Sequence, residues 1–258
     1  INVPGTIYPG KNEYQNFGIL PALDNIFAIN DVFIRYPDIP KNIYAIGSSY
    51  GGYIANIISK LAPCTLNAVF DNSSWADPNM NYIIGHGLGT SEFSMVYSSN
   101  IILALNVLSP WSNILALPNG FDKDRQLIRS FPENHLDIMA QIGNHKTIYR
   151  FVHSQKDDIA NTEQKLILAN KMKKKGFNVQ IKIYSEKDID GKYVKTMNHG
   201  MNLSMRVFFS KNINQTKNEI QDDQRIDFDF KHSFQFECET KRYMVTYSGN
   251  SQPVCSVS

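Results

Sequence analysis

The stretch AIGSSYGGYIANIISK, Ala45 to Lys60, constrains this chain more than any other. An apolar run stops at a small-residue turn, and a helical pattern begins at once. Gly47-Ser48-Ser49-Tyr50-Gly51 matches G-x-S-x-G in the strand–turn–helix setting of a nucleophile elbow. Such a turn holds its serine in strained backbone geometry, so side chains two residues either side are expected to be nearly absent. The helix N-terminus behind it favours developing negative charge. Ser49 is therefore a candidate nucleophile. The alternative is a small residue in a tight turn, and the rest of the chain decides between them.

A serine hydroxyl near neutral pH needs a base, and the base needs an orienting acid. In a fold with such an elbow the chain order is serine, acid, histidine. His199, in TMNHGMN, stands in a loop after the last parallel strand and directly before a helix, where that base belongs. VHSQKDDIAN places Asp157 and Asp158 just beyond a strand end; Asp157 is the first choice and Asp158 the close alternative. Asp71, at the end of the preceding strand, is a weaker orienter and a natural turn cap. His153 reads as structural, in the turn that presents the acid. His86, His135, His145 and His232 read as surface or core histidines.

The pattern along the chain is that of an α/β protein. Residues 1–18, rich in Pro and Gly, read as loop. Ile19 to Tyr36 has helical apolar spacing and is closed by Pro37 and Pro40. NIYAIG and LNAVFDNSS read as strands around the helix GGYIANIISKLA. Residues 75–145 read as a mostly helical lid insertion, with MVYSSNIILALNVL (Met95 to Leu108) its clearest helix and GHGLG (Gly85 to Gly89) a turn. KTIYRFVHS and NVQIKIYSE are further strands, separated by a helix whose Asn161 and Gln164 are spaced for a capping box. Alternating strands and helices imply a mostly parallel sheet flanked by helices. From Asn212 the sequence changes: NINQTKNEIQDDQ reads as a linker, and RIDFDFKHSFQFECE with RYMVTYSG as a β meander. The expected organisation is a core over 1–211 and a tail over 212–258.

Composition narrows the function classes. A formal charge of +2 argues against a nucleic-acid surface, and the basic run KMKKKG falls where a helix should end, favourably for its dipole. Three widely spaced cysteines, Cys64, Cys238 and Cys255, fit neither a disulfide framework nor a zinc site and suit a reducing compartment. No apolar run is long enough to span a bilayer, no glycine loop cradles a phosphate, and no metal or cofactor is expected. The default compartment is the cytoplasm. The chain opens with Ile1 rather than methionine, so its natural beginning, and any leader, is expected to lie elsewhere.

GSSYGGYIA, VHSQKDD and NHGM together resemble the α/β-hydrolase superfamily, near its prolyl-oligopeptidase-like and esterase branches. YQNFGILPALDNIFAI, GSSYGGYIANIISKLAP and AVFDNSS are more closely similar to an uncharacterised α/β-hydrolase-like family of campylobacters. That family is associated with motility and flagellin-glycosylation loci. The likeness runs from about Tyr14 through Met201. It implies a triad of Ser49, Asp157 and His199, with the Tyr50 backbone N–H as one oxyanion donor. It also implies a small-molecule or glycan ester as substrate.

The superfamily places several strands before its elbow, and one of them carries a loop with the second oxyanion donor. Ahead of the elbow strand NIYAIG, the residues before Ser49 read only as loop and helix. One such donor is worth roughly 3–4 kcal/mol of transition-state stabilisation, and an elbow strand without upstream neighbours is an exposed sheet edge. The expectation is therefore the C-terminal part of a longer protein, or a half completed by a partner chain. A serine esterase or acyltransferase is the leading reading. A non-catalytic binding or assembly module and a truncated fragment are the alternatives.

Overall fold

A computed structural model describes residues 1–8, 10, 15–143, 145–220, 225–249 and 252–258. In chain order the strands are β1 (Asn2–Ile7), β2 (Tyr44–Ser48), β3 (Ala68–Asn72), β4 (Phe93–Ser98), β5 (Ile101–Val107), β6 (Ile148–Ser154), β7 (Val179–Tyr184), β8 (Lys231–Glu237), β9 (Arg242–Ser248) and β10 (Val254–Val257). The helices are α1 (Ile19–Arg35), α2 (Tyr50–Leu61), α3 (Met80–Leu88), α4 (Lys123–Ile128), α5 (Glu133–Gly143), α6 (Thr162–Lys174) and α7 (Met205–Glu219).

The central sheet has the order β2-β3-β6-β7 and every pairing is parallel. Parallel neighbours need crossovers, which α2, the insertion and α6 supply. Strand periodicity sends alternate side chains to opposite faces. Val69, Tyr149 and Phe151 pack with residues of α1, α2, α5 and α6. Ala68, Phe70, Ile148 and Val152 pack on the other face, with Phe208 of α7. The chain is thus α/β, a parallel sheet flanked by helices, as its sequence pattern implies.

Three segments depart from the sequence reading. Residues 2–7 are not loop: β1 pairs in parallel with β5. Met95 to Leu108 is not a helix: β4 and β5 form an antiparallel hairpin turning at Ser99 and Asn100, and β1 completes a separate sheet of order β1-β5-β4. The run is rich in β-branched residues and interrupted by Ser-Ser-Asn. Pairing with a strand from the far N-terminus decides in favour of β structure, which local periodicity does not register. Residues 212–219 are not linker but the end of α7. Arg150, 2% exposed, binds Glu219 at 2.5 Å, and Asn178 donates to the same carboxylate at 2.8 Å, so the polar stretch is anchored by the sheet. Pro9, Tyr14 and residues 221–224 lie outside the described residues.

No described strand precedes β2 in the central sheet, where β2 is an edge. Ile46 on it is 45% exposed. Beside it runs an apolar hollow of about 500 Å³, lined by Ile29, Ile43, Ile54 and Ile58 among others.

The C-terminal antiparallel sheet, of order β10-β9-β8, is built into the main core. Phe234, Phe236, Val245 and Tyr247 point inward at alternate positions. The Tyr247 hydroxyl donates to the Leu61 carbonyl at 2.9 Å, and Asp227 accepts from the Cys64 N–H and the Thr65 hydroxyl at 2.9 and 2.7 Å. His135 joins the layers. Its Nδ1 lies 2.9 Å from Lys60 Nζ and its Nε2 lies 2.8 Å from the Glu237 carbonyl. Accepting at one nitrogen and donating at the other makes the ring neutral. Burial, reinforced by the Lys60 charge, pushes it from an ordinary 6.5 down to about 3. The unfolded chain therefore takes up a proton that the fold refuses, and this contribution to stability is lost as pH falls below the ordinary value. In denaturant titrations, the stability gap between the wild type and His135→Gln should shrink as pH falls from about 6.5 to about 4. A gap that stays constant over that range contradicts this role.

Candidate active site

The parallel sheet brings the carboxyl ends of β2, β6 and β7 to one rim, where loops of an open α/β sheet converge. Ser49 stands between β2 and α2, Asp157 follows β6, and His199 follows β7 in a tight turn before α7. These residues, far apart in sequence, form one hydrogen-bonded line. His199 Nε2 lies 2.6 Å from Ser49 Oγ. His199 Nδ1 lies 2.8 and 3.1 Å from the two Asp157 oxygens. The carboxylate orders the ring as its Nδ1–H tautomer and leaves Nε2 to accept the serine proton.

The Ser49 backbone has φ 56° and ψ −124°, outside the range comfortable for a residue with a side chain. Such conformers cost about 1–3 kcal/mol and persist only where their surroundings over-determine them. Ser49 N–H donates to the Asn72 carbonyl at 2.8 Å, and Ser49 carbonyl accepts from Tyr53 N–H at 3.1 Å. Tyr50 opens α2, so its N–H has no acceptor within the helix.

The glycine pattern differs from expectation in one detail. A Cβ on Gly47 would lie 2.2 Å from the Gly51 carbonyl carbon, and a Cβ on Gly52 would lie 2.5 Å from Asp71 Oδ1. A Cβ on Gly51 meets nothing within 4 Å. The tight packing therefore falls on Gly47 and Gly52, where helix meets strand, and not on the last glycine of the pentapeptide.

Asp157 is buried and fully engaged, accepting also from the N–H groups of Ile159 and Ala160 at 3.1 and 2.8 Å. Burial pushes its carboxyl up, but hydrogen bonds from His199 and Ala160 more than offset this, and the net shift is downward. Asp157 is thus firmly ionised at neutral pH. His153, completely buried, lies 2.8 Å from the Ala160 carbonyl, and burial lowers its pKa. Its role is to brace the turn that carries Asp157.

The alternative acids lie elsewhere. Asp158 is exposed. Asp71 is buried under the elbow, bound by Lys165 at 2.5 Å, by Ser74 Oγ at 2.6 Å and by Asn56 at 2.7 Å. Among the remaining histidines, His86 is exposed, His145 packs on Phe177, and His232 stacks on Phe230 and Tyr247. GHGLG is the last turn of α3, closed by Gly89 at φ 69°.

Sequence reasoning missed two features. Asn72 Nδ2 donates to Ser48 Oγ at 2.9 Å and to the Gly200 carbonyl at 3.0 Å, tying the elbow to the histidine turn. A residue at a strand end gives no sign of such a tether. A cavity of about 370 Å³ opens beside Ser49, lined by Phe17, Tyr50, Tyr53, Trp75, Tyr82 and Glu92 among others. Its walls come from the elbow, the insertion and the segment before α1. Only the tertiary fold brings those together.

The family model described as "protein of unknown function (DUF2920)" matches residues 1–252. The chain belongs to the DUF2920 family. No curated protein matches this DUF2920 chain. Among solved structures, Arabidopsis thaliana SOBER1 is similar at 18% identity, over 82% of this chain and 69% of its own, with a TM-score of 0.39. Pyrococcus horikoshii acylaminoacyl peptidase is similar at 16% identity, over 81% of this chain and 29% of its own, with a TM-score of 0.48. An esterase of Pyrococcus furiosus is similar at 14% identity, over 81% of this chain and 65% of its own, with a TM-score of 0.46. The DUF2920 chain spans less than a third of the peptidase and about two thirds of the other two. Overlaps this loose carry no argument about chemistry, which rests on the site itself.

Glycine contacts and Ser49 strain make a direct prediction. Gly47→Ala should unfold the protein or destabilise it by several kcal/mol, roughly the range for severe overpacking. Gly51→Ala should melt within a few degrees of wild type, and Ser49→Gly should gain about 1 kcal/mol. Equal losses at Gly47 and Gly51 in thermal denaturation contradict this elbow geometry.

Proposed function

We propose that this DUF2920 chain is a serine hydrolase of the α/β-hydrolase type, an esterase or acyltransferase. Ser49 is the nucleophile, His199 the general base and Asp157 its orienting acid. The observation that carries the reading is the Asp157–His199–Ser49 line, in nucleophile-to-base and base-to-acid contact, opening on a cavity. A strained serine on a rim, hydrogen-bonded to an oriented imidazole, has little use as architecture.

The chemistry follows from the contacts. Ser49 Oγ attacks the ester carbonyl carbon as its proton passes to His199 Nε2. The Nδ1 proton stays on the imidazole, and the Asp157 charge stabilises the imidazolium. The carbonyl oxygen becomes an oxyanion within reach of the Tyr50 N–H at the start of α2, whose dipole favours it. Collapse breaks the bond to the alcohol, which leaves with the Nε2 proton. Water, or a second alcohol, attacks acyl-Ser49 along the same path and restores the serine. The resemblance to a family found in flagellin-glycosylation settings puts an acylated glycan among the candidate natural esters.

Hydrolysis of p-nitrophenyl acetate tests the reading. Ser49→Ala and His199→Gln should each lower kcat about 10⁴–10⁶-fold, and Asp157→Asn about 10⁴-fold. The Ser49→Ala/His199→Gln double variant should be no slower than either single one, because the groups act as a unit. Wild-type activity retained in Ser49→Ala sinks the proposal.

A binding or assembly module is the second reading, favoured by the open edge of β2 and its apolar hollow. In that reading a strand from a partner chain, or from an upstream segment, completes the sheet. Hydrogen exchange discriminates: outward-facing amides of Tyr44–Ser48 should exchange fast in the isolated chain. Slow exchange there rules out an edge awaiting a partner.

A further inference from the structure

The cavity beside Ser49 has a composition that ester hydrolysis does not require. Its walls are aromatic, gathered around Trp75. The Trp75 ring centroid lies 6.2 Å from Tyr50, 6.2 Å from Tyr53 and 5.3 Å from Tyr82. Into this apolar surface the insertion places one charged side chain, Glu92. Every other described residue of the lining is neutral. No lysine, arginine or histidine among the described residues forms an ion pair with Glu92. Arg129, the cation whose charge reaches Tyr50 and Tyr53, is held by the carbonyls of Phe17, Arg125 and Asn16 at 3.0, 3.0 and 3.1 Å. Arg129 is not part of the cavity lining.

We propose that Glu92 and the aromatic wall make this cavity a site for an alkylammonium cation, so that the preferred ester carries such a group. The inference rests on the reading of this cavity as the substrate site of Ser49. The faces of Trp and Tyr carry negative quadrupole density and attract weakly hydrated organic cations, an attraction that grows when the site is desolvated. A carboxylate on the same wall adds Coulomb attraction that a neutral ligand does not feel. Burial raises the Glu92 pKa, and the Val107 N–H offsets only part of that cost. A bound cation relieves the remainder. At about 370 Å³ the cavity lies near the small end of ligand sites, which suits a compact ester.

Tetramethylammonium and a neutral alcohol that carries a tert-butyl group, 3,3-dimethylbutan-1-ol, separate this reading from simple apolar binding. Calorimetry on the wild-type chain should show tetramethylammonium binding, weakened about tenfold or more in Glu92→Gln. Binding of the neutral alcohol should change less than about threefold between the two proteins. Tyr82→Leu should weaken the cation several-fold as well, and melting curves of both variants report whether the fold is kept. In parallel, kcat/KM for acetylcholine over 3,3-dimethylbutyl acetate should fall about tenfold in Glu92→Gln. Cation binding without ester turnover supports the site and removes the hydrolase reading. Turnover of neutral esters with no cation binding, or binding unchanged in Glu92→Gln, overturns the inference and leaves the hydrolase reading standing.

Discussion

The hydrogen bond between Ser49 and His199 is the constraint on which the site depends. Its partners belong to the loops after the edge strand and after the far strand of a four-stranded sheet. A contact of 2.6 Å between them requires β3 and β6 to hold both ends in register, and requires both loops to be fixed in place. The elbow is fixed by backbone hydrogen bonds to Asn72 and Tyr53 and by the absence of a side chain at Gly47. The histidine turn is fixed by Asn72 through the Gly200 carbonyl and by Ser154, whose hydroxyl donates to the Met197 carbonyl. Asn72 thus serves both loops, which makes it a positioning residue for the whole line.

Beneath the elbow lies a polar layer that is costly to bury. Asp71 and Lys165 are both almost fully buried, and the pair is completed by Asn56 and Ser74. Replacing such a pair with apolar residues is often neutral, whereas removing one partner leaves a bare charge. Its position offers a reason for its presence: it locks α6 and α2 to the end of β3, directly under a strained serine. Directional bonds resist small sliding motions better than an apolar contact of the same area.

Much of this was legible in the sequence, for identifiable physical reasons. β3 and β6 are buried on both faces, so they read as largely apolar runs, and G-x-S-x-G stands between a strand and a helix, the setting of a nucleophile elbow. The order serine, acid, histidine then pointed to His199 and to Asp157 ahead of Asp158, and the structure joins Asp157 and Ser49 through His199. What escaped reading depended on distant partners. β1 and β5 are defined by each other across the length of the insertion, and the end of α7 is held by Arg150 from the sheet. Nothing local in the sequence marks Glu92 as a residue that lines a cavity. The C-terminal meander was visible from its alternation, but its union with the core through His135 and Tyr247 was not.

The central claim is that the Ser49 hydroxyl is made nucleophilic by His199. Treating the native protein with a fluorophosphonate and mapping the adduct by mass spectrometry tests it directly. The account predicts one covalent adduct, on the peptide bearing Ser49, formed at a rate that collapses in His199→Gln. An unmodified protein, or an adduct on Ser49 formed equally fast without His199, would contradict it.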